Sequence, residues 1–265
     1  MEVNVGWFST GKDSQALEIF EKTLEAIERE KIVGIKISYV FCNREKGEEK
    51  ESDRFTEFVE KRKIPLICFS SSKFEKNLRK KALKEAKKGN FSLLEKWRIL
   101  YDRQIIEKIK KMQADLIFLA GYMLILGKEL CEKFTILNLH PALPGGPKGT
   151  WQEVIWQLIE KRVDKTGIMI HKVIPEVDSG PALFYCEFSL KGEKFRPLWK
   201  NLEEKLKQKT LPQIKKEEGE EEPLFKAIRE EQKKREIPLV LSTLEFIGRK
   251  KPDLKKIKKP FLLKV

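Results

Sequence analysis

Two histidines are all the imidazole in this 265-residue chain: His140, inside LNLHPALPGG, and His171, inside GIMIHKV. Imidazole gains and loses a proton near neutral pH, so general acid–base chemistry is sought first at these two positions. His140 follows Asn138 by two residues and precedes Pro141. Taken singly, these residues read as a turn, and so does Asp178-Ser179-Gly180 further on. His171, beside apolar Ile170, reads as a core or supporting histidine. A second chemistry-bearing stretch is FSTGKDSQAL, residues 8–17. There Gly11 permits close backbone approach to a ligand, and the start of the following helix favours an anion. Lys12 can pair with such an anion, while Asp13 repels it unless the carboxylate turns away to cap the helix.

Such positions need a scaffold, and the apolar periodicity supplies one. VNVGWFS (3–9) reads as a buried strand that leads through TGKD into a helix striped by Leu17, Phe20, Leu24 and Ile27. KISYVFCN (36–43), IPLICFS (64–70), DLIFLAGYM (115–123) and TILNLH (135–140) read as further strands. Amphipathic helices, ESDRFTEFVEKRK and YDRQIIEKIKKMQ among them, alternate with these strands. That rhythm predicts an α/β fold: a mostly parallel sheet with helices on both faces. TGIMIHKV and ALFYCEFSL, on either side of EVDSGP, predict an antiparallel addition. The stretch 71–95 is Lys-rich and helical in pattern. Beyond 195 come PLWKNLEEKLKQ, an acidic loop KKEEGEEE, PLFKAIREEQKKRE and IPLVLSTLEFI, then a basic end read as an extended arm. The expected organisation is a domain over 1–195 with a helical C-terminal extension, 196–265, packed on it. In parallel sheets ligands collect outside the carboxyl ends of the strands, where STGKD, GYMLIL and NLHPALPGG all fall.

Composition narrows the function. No run of about 18 apolar residues exists, which excludes a membrane-spanning helix. The net charge of +14 invites a nucleic-acid partner, yet Lys and Glu interleave along a chain that is 36% charged. Ion-paired helix faces and a heat-adapted source account for that pattern, so nucleic acid is not the expected substrate. A positive field equally suits a small phosphorylated one. Four scattered cysteines without a CxxC pair read as reduced thiols of a cytoplasmic protein, and the polar start MEVNVGWFSTGKDS is not a signal peptide.

Taken in order, FSTGKDSQAL, DLIFLAGYMLIL, Asn138-Leu139-His140-Pro141 and Asp178 within PEVDSGPAL resemble the folate-dependent formyltransferases. The resemblance is to glycinamide (phosphoribosylglycinamide) ribonucleotide formyltransferase, and runs from Val3 to about Leu190. It implies a Rossmann-like fold that transfers a formyl group from 10-formyltetrahydrofolate, a co-substrate, to the amine of 5-phosphoribosyl-glycinamide in purine biosynthesis. It further implies that Asn138, His140 and Asp178 are the catalytic set. An amine attacking the formyl carbon creates a negative oxygen, to which the Asn138 amide and a protonated His140 would donate hydrogen bonds. His140 would also move protons, with Asp178 raising its pKa and fixing its orientation. No metal is required. The same resemblance gives the acceptor phosphate to Gly11, Lys12 and Asp13, and the folate to Arg98, Met123, Leu124, Ile125, Leu126 and Asn138.

The chain departs from the family pattern in places. Leu124 stands where the family commonly has arginine, Lys12-Asp13 replace small polar residues, and Lys207 takes the place of an acidic ribose-binding residue. The partners implied are small molecules, with a monomer or homodimer as the assembly. Methionyl-tRNA formyltransferase shares the catalytic pattern but usually carries a C-terminal β-barrel, where this chain reads as helices. FSTGKDS also resembles the pyrophosphate loop of ATP pyrophosphatases, although the rest of the chain does not follow that family. A degenerate formyltransferase fold used as an RNA-binding module would have lost the Asn–His–Asp set, which is intact.

Overall fold

Trp7 and Phe8 are neighbours on β1 (Val3–Ser9), so they point to opposite faces, and each anchors an aromatic cluster. The computed structural model describes residues 2–265, which fall into two compact units. The first comprises 2–138, 172–180 and 244–252; the second comprises 139–171, 181–243 and 253–265.

In the first unit the strands run β3 (Leu66–Cys68), β2 (Ile35–Cys42), β1, β4 (Leu116–Leu119), β5 (Ile136–His140), and every neighbouring pair is parallel. On one face Trp7 stacks on Phe118 at 5.1 Å and meets Phe20 of α1 (Ser14–Glu28). Phe20 in turn touches Phe55 of α2 (Lys50–Lys61). On the other face Phe8, Phe41, Ile117 and Leu119 pack against Trp97, Tyr101, Ile105 and Ile109 of α4 (Ser92–Ile109), with Leu130 of α5 (Lys128–Lys133). The expected parallel sheet with helices on both faces is therefore present. β3 is shorter than the stretch 64–70 suggests. The Lys-rich segment resolves into α3 (Lys76–Ala86), whose one fully buried residue is Ala82, and the beginning of α4.

The second unit holds the antiparallel addition. β6 (Lys165–Lys172) pairs with β7 (Ala182–Ser189), Ile168 opposite Cys186. β8 (Phe261–Leu262) then joins β7 in parallel, and Phe261 stacks on Phe184 at 5.6 Å. The basic end is irregular from 251 to 260, as an extended arm would be, and only Phe261–Leu262 within it adds an edge strand. α6 (Trp151–Glu160), α7 (Arg196–Leu206), α8 (Leu211–Glu217) and α9 (Pro223–Lys250) share a core around Trp156, Leu202, Ile214 and Phe225. A capping box between Thr150 and Glu153 starts α6.

α9 is one helix of 28 residues although Pro238 lies inside it, where the sequence reads as two. Proline removes one backbone donor, yet Leu239 and Val240 directly after it are fully buried, and that packing sustains the helix. The last turns of α9, from Leu244, count with the first unit. Gly248 lies there against the chain at Gly34: a Cβ on Gly248 would sit 2.1 Å from the Val33 carbonyl oxygen. Only glycine fits.

Candidate active site

Thr10, at the end of β1, ties three strand ends together. Its N–H donates to the Gly121 carbonyl at 3.0 Å, and its hydroxyl donates to Asn43 Oδ1 at 2.7 Å. The same hydroxyl accepts the Met123 N–H at 2.8 Å, while the Thr10 carbonyl accepts from the Ser52 hydroxyl. Gly11 follows with φ +60°, and a Cβ there would meet Phe55 Cβ at 2.8 Å, so glycine is required. Asp13 turns away from the loop and caps α1, accepting the Ala16 N–H at 3.0 Å. Lys12 is exposed beside the helix start, where backbone N–H groups and the helix dipole favour an anion. The N–H groups of Thr10 and Gly11 are already bonded, to the Gly121 carbonyl and the Ser9 hydroxyl, which leaves fewer donors than a pyrophosphate cradle uses.

The loop after β4 alternates in and out. Tyr122 and Leu126 are buried in the cluster beneath β4, Leu124 packs half-buried against it, and Met123 and Ile125 are exposed by 48% and 39%. Leu126 therefore has only its backbone to offer a ligand. Asp102 of α4 ends this loop by accepting the Gly127 N–H at 2.5 Å. Burial drives the Asp102 carboxyl from 3.8 up to about 7, against the lowering effect of the Gly127 bond. One turn earlier, burial pulls down the pKa of the half-buried Arg98 guanidinium, with Glu95 and Asp102 opposing.

Asn138 and His140 lie two residues apart on β5, so their side chains share a face. His140 is buried, and its Nε2 lies 2.9 Å from the Pro147 carbonyl oxygen. A carbonyl can only accept, so Nε2 carries hydrogen. The His171 ring stands perpendicular to that of His140, 6.0 Å away between centroids. After His140 the chain turns at once, with Ala142 N–H donating to the His140 carbonyl. Asp178 sits half-buried in the loop between β6 and β7 at φ +48°, a conformation that Asp tolerates better than most residues. Lys207 caps α7, where it pairs with Glu204 at 2.7 Å on the surface.

The structure thus joins STGKD and the Met123 loop through Thr10, and sets Asn138 and His140 on one strand. Three features escaped the sequence reading. Asp102 had a signal, a carboxylate on the apolar stripe of α4. The closeness of the two histidine rings and the Gln232 contact described below had none.

Residues 14–194 match the formyl transferase profile, and the chain belongs to that family. Phosphoribosylglycinamide formyltransferase of Dictyostelium discoideum is 37% identical over 103 residues, 35% of this chain and 50% of that protein. Methionyl-tRNA formyltransferase of Thermotoga maritima is 29% identical over 117 residues, 43% of this chain and 37% of that protein. The chain spans about half, or less, of the length of these relatives. Glycinamide ribonucleotide transformylase 1 from Symbiobacterium toebii superposes with a TM-score of 0.64 at 15% identity, over 99% of this chain and 95% of that one. Phosphoribosylglycinamide formyltransferase from Coxiella burnetii gives 0.61 at 15% identity, over 94% and 89%. At such identities the likeness is one of fold, the Rossmann-like mixed sheet already described. Among the described residues, no helix is long and apolar enough to cross a membrane.

Proposed function

We propose that the protein transfers the formyl group of 10-formyltetrahydrofolate to the amine of 5-phosphoribosyl-glycinamide. The observation that carries this reading is β5, which sets a hydrogen-bond donor, Asn138, and a titratable ring with a fixed proton, His140, on one face. Donors aimed at the oxygen of a tetrahedral intermediate stabilise it by a few kcal/mol, and Asn138 fills that role. His140 takes a proton from the attacking amine and passes it to the leaving nitrogen. Asp178, by the family pattern, stabilises the charged ring. The exposed Met123 and Ile125 side chains offer an apolar rim to the folate, and the partly desolvated Arg98 offers a cation to its carboxylates. Gly11 and Lys12, at the start of α1, receive the acceptor phosphate. Four free thiols fit the reducing cytoplasm, and the many surface ion pairs fit a heat-adapted source.

A formyl-methionyl-tRNA product is the second reading, favoured by the longer matched stretch of the Thermotoga relative. Tetrahydrofolate release, followed with glycinamide ribonucleotide and methionyl-tRNA offered separately, tests both. Release with the ribonucleotide alone supports the first, and release with tRNA alone replaces it.

A further inference from the structure

We propose that Gln232, on α9, is a positioning residue for His140, which makes the C-terminal helix part of the machinery of the reaction. The consequence for turnover rests on the catalytic reading of His140 given above; the geometry does not. The segment PALPGGP, residues 141–147, contains three prolines, so three of its backbone N–H donors are missing. Within it Gly146 donates to Leu143, and at its start Ala142 donates back to His140. The remaining carbonyls must find donors elsewhere. Pro147 receives the His140 ring at 2.9 Å and Pro141 receives Gln232 Nε2 at 2.9 Å, while just past the segment Lys148 receives Gln157 Nε2 at 3.1 Å. The ring that carries the proton is therefore aimed by a loop, and side-chain amides from α6 and α9 hold the two ends of that loop.

Of the two amides, Gln232 is the fully buried one, and it grips the residue joined directly to His140. Its Oε1 is buried without a hydrogen-bond partner among the described residues. A side chain serving only to fill space would not carry that unmet acceptor; methionine has the same reach and no polar group. What the amide contributes is the N–H to Pro141. Arg229 and Glu236, three residues before and four after on the same helix, pair with each other and brace that turn of α9.

Two substitutions in the full-length protein separate positioning from bulk. Gln232→Met keeps the volume and loses the donor. Gln232→Glu keeps the shape and donates only while its carboxyl is protonated. Turnover with glycinamide ribonucleotide, and the 15N shifts that report the tautomers of the two histidines, are measured for each. The expected result for Gln232→Met is a fall in kcat of about 10- to 100-fold, the range that small misplacements produce, with KM for the folate little changed. The His140 nitrogen shifts should move from a fixed Nε2–H form to a mixture, and those of His171 should stay. Gln232→Glu should recover turnover on the acid side of its own pH profile, where Gln232→Met does not. A Gln232→Met protein with wild-type kcat and an unchanged His140 tautomer overturns the proposal. Equal shifts at both histidines with KM rising in step overturn it too, since they report general loosening. If Gln232→Met does not fold, Gln232→Glu followed across pH decides alone, and a flat ratio to wild type counts against the proposal. Should His140→Ala remain active, the catalytic reading falls, while a tautomer shift in the Gln232 variants still establishes the clamp.

Discussion

Asp102 makes stability depend on pH in the direction opposite to most carboxylates. It is 2% exposed, and burial holds its pKa near 7 in the folded chain against 3.8 ordinarily. Below about pH 4 the group is protonated in both states and costs nothing. Between pH 4 and 7 the unfolded chain releases the proton while the folded chain keeps it, so stability falls as pH rises. Each ten-fold change in proton affinity is worth about 1.4 kcal/mol, which makes the whole loss roughly 4 kcal/mol. That is a large share of the 5–15 kcal/mol by which domains are usually stable. Asp102→Asn removes the titration and keeps an oxygen able to accept the Gly127 N–H. Guanidinium unfolding of wild type and Asp102→Asn at pH 4.5, 6, 7 and 8.5 yields a difference curve from which the other carboxylates cancel. The variant should gain on wild type from pH 4.5 to about 7 and hold that gain, several kcal/mol, at pH 8.5. A difference that stays within about 0.5 kcal/mol at all four values would show that Asp102 is ionised throughout, and the burial argument would fail. Because Gly127 closes the loop bearing Met123 and Ile125, folate affinity should follow the same titration.

His140→Ala should lower kcat by about 10²- to 10⁴-fold, the usual contribution of a positioned acid–base group, with matched circular dichroism; a similar loss in His171→Ala would remove the distinction between the rings. Lys12→Ala should weaken the ribonucleotide acceptor by about ten-fold and leave folate affinity alone, as titration calorimetry can read; no change would move the phosphate site elsewhere. Gly11→Ala combines a left-handed φ with a collision at Phe55, so thermal unfolding should show a loss of about 1–3 kcal/mol, and an unaltered melting curve would contradict the geometry.

The parallel sheet was legible because VNVGWFS, DLIFLAGYM and TILNLH are apolar runs separated by segments of helical period, and both signals are local. Asn138 and His140 were singled out by the resemblance of the NLHP stretch to the formyltransferases, and strand alternation along β5 then places both on one face. Pro238 misled because the local rule, that proline ends a helix, yields to the burial of Leu239 and Val240, which the sequence does not reveal. β8 was hidden as well: the basic end has no periodicity of its own and takes its extended form from the edge of β7. Gln232 was the least visible. It lies in EEQKKRE, a stretch that reads as solvated, and the carbonyl it serves is 91 residues earlier.

The contact between Gly34 and Gly248 has a bearing on the order in which the protein is made. Synthesis runs from the amino end, so β1 and the beginning of β2 leave the ribosome long before residues 244–252, which complete the same unit. Until then the backbone around Val33 and Gly34 lacks the helix turn that later lies against it. Incomplete units of this kind expose apolar surface and strand edges that invite misassembly. The nascent chain consequently has a long interval in which its sheet lacks its closing piece. Closure comes only with the far end of α9.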